Sequence, residues 1–438
     1  MKKLVKYTGI CSLLLNLMPF IIYLSIIKPG KEMLTEALPF AIYYGVRHSS
    51  LLLFRDFEYN TWRLGWIGIF SGGCGYALGM LGGYNSLFFD LSGIGAGIAS
   101  TLFPAAINQQ NRLIKNELLP KRDHVKAWGQ LLILLFFFGI MVWIKQPAVK
   151  FGVMMLVTIF TGAAYRYAPH SVGHPLPRRL HWFNYVLALI LISAMLMLRL
   201  GRNAGIGQPV GWGLLLLFIF FLTMVGGIIL NRQKMLHYRH HLRLRLMLYG
   251  VCGQYWTLYS TIFISVLYGL KMYYWTIVAY LFAFIVGGLV VKKTCQLMPG
   301  DDQLVSLIMI TLGIGLTFWL PSYFVGVFII RSFASAERKN ATAEYEQVTH
   351  NYSISYIISN YYYSITGLIS QFVMWGSLFL AAGLTGMNNI LGAYTLGRVS
   401  LQNSVAINVA HAVLAIYMIT YIVLLAIKLV HDKKAGEA

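Results

Sequence analysis

A succession of apolar runs, each about 20 residues long and separated by short basic loops, fixes what this chain can become. About 20 apolar residues are what a helix needs to cross a bilayer. Helices are also the form in which a single segment satisfies its own backbone polar groups inside lipid. The 438 residues are 58% hydrophobic and only 11% charged, and a soluble domain of this length carries roughly twice that charge. The expected fold class is therefore an all-α polytopic membrane protein. Apolar runs lie near 6–27, 34–54, 64–82, 86–108, 127–144, 148–166, 182–200, 210–230, 246–270, 272–291, 303–332, 353–384 and 404–429.

The segment 303–332 is long for one crossing and short for two, and holds Trp319-Leu320-Pro321-Ser322 at its middle. Cytoplasmic loops collect Lys and Arg. Reading 303–332 as a compressed helical hairpin puts most of the 35 basic residues on the side that holds the amino terminus; reading it as one crossing spreads them more evenly. The charge pattern thus predicts about fourteen transmembrane helices in two bundles, with both termini cytoplasmic. The expected organisation is a six-helix bundle over 1–168, a linker with two extra helices and a basic loop over 169–245, and a second bundle over 246–438.

The net charge of +21 is accounted for by these loops, where it sets orientation and meets anionic headgroups. No nucleic-acid partner is needed; the lipid bilayer is the expected partner. The basic start Met1-Lys2-Lys3 precedes a run of full span length without a small-residue cleavage site, so it reads as a retained first helix. The four cysteines are far apart and form neither a metal pattern nor a disulfide framework. No cofactor or metal motif is present. The basic start and short loops suit a bacterial cytoplasmic membrane.

Outside loops are tiny, so the machinery must lie between helices, which favours transport over chemistry. Ionisable and amide groups inside the runs are the best functional clues, because holding them in lipid costs a few kcal/mol. Arg47 and His48 lie two-thirds through the second run. A guanidinium there can take an anionic group through forked hydrogen bonds, or reach back to the surface. Asp90 sits near the outer end of the fourth run and is the acidic candidate for a coupling ion; otherwise it is an acid at a helix end. Gln254, Tyr255, Gln371 and Asn408 place amide and phenol groups where a polar or amphipathic substrate could bind, although helix–helix hydrogen bonding uses the same groups. His411 in an apolar stretch is reminiscent of membrane-bound O-acyltransferases, but the neighbouring aromatic–His signatures are missing, and the chain is not expected to be an enzyme.

The fourth run, Leu91-Ser92-Gly93-Ile94-Gly95-Ala96-Gly97 to Pro104, is followed by a basic loop, and the later segment Leu312-Gly313-Ile314-Gly315 to Pro321 repeats its Gly-Ile-Gly ahead of a proline. With Gly45, Arg55-Asp56 and Arg63 between the second and third runs, and Gly287-Gly288-Leu289-Val290-Val291-Lys292-Lys293 in the second half, the chain resembles the major facilitator superfamily. Val291 stands where that pattern has an acid, and the fifth run lacks the Gly-Pro motif of drug–proton antiporters. The resemblance covers the layout of the whole chain and implies a secondary transporter working by alternating access. The alternative with the same helix count is a flippase or exporter of a lipid-linked cell-envelope or polysaccharide precursor.

Overall fold

The computed structural model describes residues 2–26, 33–53, 60–117, 127–170, 240–254, 259–298, 300–349 and 401–436, with isolated positions at 125, between 185 and 219 and between 356 and 381. Every regular element among them is helical. Among the described residues, five helices are long and apolar enough to cross a membrane: Leu4–Ile26, Thr61–Gly83, Leu87–Lys115, Pro147–Tyr165 and Val405–Asp432. Their outward faces carry Phe70, Leu156, Ile159, Ile416 and Ile427, all strongly exposed. Apolar groups covering the outside of helical bundles are what a membrane-embedded protein presents to lipid. The runs at 182–200, 210–230 and 353–384 fall largely outside the described residues.

The chain divides into two compact units, Met1–Gly226 with Asn351–Tyr361, and Gly227–His350 with Tyr362–Ala438. Unit 1 contains α1 (Thr8–Ile26), α2 (Met33–Leu53), α3 (Thr61–Met80), α4 (Leu87–Lys115), α5 (Ala127–Trp143) and α6 (Pro147–Tyr165). Local chemistry starts these helices. The Asn60 side chain accepts from the Arg63 backbone N–H at 3.0 Å and caps α3. Asn85 does the same for the Leu87 N–H at 2.9 Å ahead of α4. Pro147 opens α6, where its missing N–H is no loss.

The centre of unit 1 is α4, which packs on α1, α2 and α3. Its glycines explain how. A methyl on Gly93 would sit 2.8 Å from the Pro39 carbonyl, and one on Gly97 2.8 Å from the Tyr43 carbonyl, so these two glycines admit the α2 backbone. Gly95 faces the other way, onto Gly75 of α3. Small residues let membrane helices approach to backbone contact.

Unit 2 contains α7 (His240–Gln254), α8 (Ser260–Tyr268), α9 (Leu270–Ile285), α10 (Gly287–Leu297), α11 (Asp302–Leu316), α12 (Leu320–Thr349) and α13 (Leu401–Gly436). The segment 303–332 is a helix–turn–helix. The chain reverses between α11 and α12, where the Ser322 hydroxyl donates to the carbonyls of Leu316 and Trp319 at 2.7 and 3.1 Å. Gly313 and Gly326 then meet across the pair. The Asp301 carboxylate caps α11 by accepting from the Gln303 N–H at 3.2 Å. At 15 residues, α11 rises about 22 Å, short of the roughly 30 Å hydrocarbon layer. The polar stretch after residue 332, which reads as a loop, is a continuation of α12 to Thr349.

The two Gly-Ile-Gly segments have different settings. Pro104 lies inside the same helix as Gly93 and Gly95, whereas Pro321 lies beyond the turn, in the helix after Gly313. Gly315 has open space at its Cβ position. The sequence match therefore does not extend to matching packing.

Candidate functional site

Arg47 is held between three helices of unit 1. Its Nη2 donates to the Asn16 side-chain oxygen of α1 at 2.6 Å, its Nη1 donates to the Tyr43 hydroxyl oxygen at 3.1 Å, and its own carbonyl accepts from the Thr101 hydroxyl of α4 at 2.6 Å. These partners are neutral dipoles. His48 follows on the same helix and is buried, its ring 4.6 Å from that of Tyr44.

Asp90 occupies the first turn of α4, where a carboxylate meets the positive end of the helix dipole. It precedes Thr101 by eleven positions, which is about 16 Å along the axis, so Asp90 and Arg47 do not touch directly. The same unit buries the phenols Tyr23, Tyr43 and Tyr76. The rings of Tyr23 and Tyr43 stack with centroids 5.0 Å apart, and the Tyr23 and Ser92 hydroxyls share a 2.6 Å hydrogen bond. A second cation, Lys150, stands in the first turn of α6. It is only 4% exposed, and its ammonium donates to the Ser25 hydroxyl at 2.7 Å.

The other expected site residues belong to unit 2. Asn408 lies on the exposed side of α13. Gln254 ends α7, but its side chain, like Tyr255 and Gln371, lies outside the described residues. His411 is buried in unit 2 among Phe263, Phe318 and Tyr259, with ring centroids 4.4, 4.4 and 5.4 Å away, and its Nε2 is 3.1 Å from the Thr317 hydroxyl. This is an aromatic box around one imidazole.

Unit 2 also contains a charged cluster that reads as loop in the sequence. Arg245 of α7 is 1% exposed. Its Nε donates to Glu337 at 3.1 Å, and its Nη1 bonds Glu344. One turn further along α7, Tyr249 receives the guanidinium groups of Arg331 and Arg338, each 4.8 Å from its ring centroid. Arg331 also lies over Tyr280 at 4.9 Å and Arg338 over Tyr363 at 5.6 Å. Burial pushes the Glu337 carboxyl above the ordinary glutamate range, and Arg245 pulls it back. The signal available in sequence is the seven-residue spacing of Glu337 with Glu344 and of Arg331 with Arg338, which places each pair on one helix face.

Among the described residues no group of three or more His, Cys, Asp or Glu side chains could hold a metal ion. No protein-family model matches the sequence, and no curated protein matches it.

Proposed function

We propose that the protein is a secondary membrane transporter that moves a small polar or amphipathic, anionic solute by alternating access, on the fourteen-span plan of the major facilitator superfamily. One observation carries this reading: two cations stand inside the apolar helices of unit 1, Arg47, which is half-buried and bonds Tyr43 and Asn16, and Lys150, which is buried and bonds the neutral Ser25 hydroxyl. A cation held in a membrane bundle costs a few kcal/mol, and dipoles recover only part of that. An anionic solute recovers more, because a charge-assisted pair is about twice as strong as a neutral hydrogen bond.

The second reading, a flippase for a lipid-linked precursor, is favoured by one feature. Asp90 is the sole acid among the described residues of α1, α3, α4, α5 and α6, and a flippase needs no acid within its spans. Proteoliposome uptake separates the two. Accumulation of lactate, succinate or inorganic phosphate, lost in Arg47→Gln, supports the transporter. Transbilayer movement of a fluorescent polyprenyl phosphate with no solute uptake supports the flippase. Neutral substitutions at Arg47, His48, Gln254, Tyr255 and Gln371 that together leave uptake unchanged would sink the transporter reading.

A further inference from the structure

In unit 2, α9 and α10 follow one another with almost no connection, yet they do not form one rod. Lys271–Ala283 and Gly287–Leu297 meet at 65°. The apolar run at 272–291 reads as one crossing in the sequence, and the bend divides it. The 16 residues of α9 rise about 24 Å, which takes up most of the roughly 30 Å hydrocarbon layer. The end of α9 away from the bend carries the exposed Lys271 and, one turn on, Trp275 at 62% exposure. Tryptophan gathers at the membrane boundary. A transmembrane helix stands on average about 20° from the bilayer normal, so a helix bent by 65° from it runs closer to the membrane plane than to the normal.

One side of α10 is fastened to the unit. A methyl on Gly287 would sit 2.5 Å from the Ser332 hydroxyl oxygen, so this glycine brings the start of α10 down on α12. Val290, Val291 and Thr294 are half-buried on the same side. The other side carries Leu289, Lys292, Lys293, Gln296 and Leu297, all exposed, within an arc of about 140° at 3.6 residues per turn. Leu289 is 65% and Leu297 82% exposed. The ion pairs among the described residues involve neither lysine, and no acid occurs from Lys271 to Gly300. The next acids, Asp301 and Asp302, begin α11, and the Asp301 carboxylate is engaged with the Gln303 N–H.

We propose that α10 lies along the membrane surface and binds anionic phospholipid, with Lys292 and Lys293 on the headgroup phosphates and Leu289 and Leu297 in the acyl region beneath. A continuous crossing would hold both ammonium groups in hydrocarbon, where they lose their hydration. At the boundary their stems reach the headgroups while the leucines enter the chains, which is how an interfacial helix is held. The leucines also select the occupant. They flank the lysines along the helix, and a free anion gains nothing from them, whereas a lipid meets both. The inference does not depend on what the protein transports.

The test uses the full chain with Cys74→Ser and Cys295→Ser and a fluorophore on Leu297→Cys; Cys11 and Cys252 stay, since both are buried. The protein is reconstituted into mixed bilayers in which either phosphatidylglycerol or phosphatidylcholine carries brominated chains. Bromine quenches only at close range, so the two quenching curves give the relative binding of the two lipids at this helix. Phosphatidylglycerol is preferred, and Lys292→Gln with Lys293→Gln lowers the preference about fivefold for each lysine removed, at an unchanged melting temperature. Equal quenching by the two lipids, or a preference that survives the double substitution, overturns the headgroup site. Loss of the preference on adding inorganic phosphate, but not chloride at the same ionic strength, assigns the lysines to a free anion and overturns the lipid. Depth is read separately. Bromines near the headgroup quench more than bromines near the chain methyl when α10 lies in the surface. The reverse order means that α10 crosses, and quenching by aqueous iodide alone means that it stands in water; either result overturns the surface position.

Discussion

Arg47 in unit 1 and Arg245 in unit 2 are both arginines packed within helices, and their surroundings differ in kind. Arg47 donates to an amide oxygen and to a phenol. Arg245 is clamped by two glutamates, one of them as deeply buried as itself. A buried ion pair is roughly neutral as a whole and costly to break. A guanidinium resting on dipoles keeps most of its attraction for an incoming anion. The comparison shows a charge that holds two helices together through carboxylates, and that role belongs to Arg245 in unit 2.

Substitutions can break this comparison. The largest expected effect is Arg245→Ala, which leaves Glu337 buried without its counter-charge and costs about 3–5 kcal/mol. Thermal unfolding in detergent reads it, and Arg245→Leu with Glu337→Leu recovers much of the loss. If the double variant is as unstable as the single one, the cluster does not act as a pair. Next is Gly97→Leu, which drives a side chain into the α2 backbone. A loss of about 1–3 kcal/mol or more is expected, seen as a broadened size-exclusion peak and a lower melting temperature.

A smaller loss, about 1 kcal/mol, follows from Tyr23→Phe, which removes the bond to Ser92. Here stability falls slightly, while the anion concentration for half-maximal uptake shifts by more than the stability change explains. Smallest is Lys428→Ala, which breaks the exposed pair with Asp432 on α13. The change is about 0.3–0.5 kcal/mol, within the scatter of a melting curve, and a measured loss of several degrees would mean that the end of α13 is buried against something.

Much of the helix pattern was legible because a cation or an amide stands out in an apolar run. Arg47 and His48 announce themselves in that way, and the structure gives Arg47 polar neighbours on two other helices. The reversal at 317–319 was legible from Trp319-Leu320-Pro321-Ser322 and from the sense of the basic loops. The tyrosines were not, since Tyr23, Tyr43 and Tyr76 in apolar helices look like ordinary core aromatics, and only their convergence gives them meaning. Lys150 was hidden for another reason. Two residues after the run begins, it reads as part of an outer loop, although α6 has already started at Pro147. The charged cluster was the least legible. Residues 333–349 mix both signs at a density that reads as solvated loop, and the burial of Glu337 depends on where α7 lies, which no local pattern states.

The unbroken length of α12 has a mechanical consequence. Its 30 residues make a rod of about 45 Å, with the glycine contact of the hairpin at one end and the arginine–glutamate clamp toward the other. A helix of this kind transmits displacement with little bending when no proline interrupts its middle. Pro321 sits in its first turn, at the turn end of the rod. A tilt of the hairpin would therefore move Glu337 and Glu344 sideways against Arg245, to which both are paired.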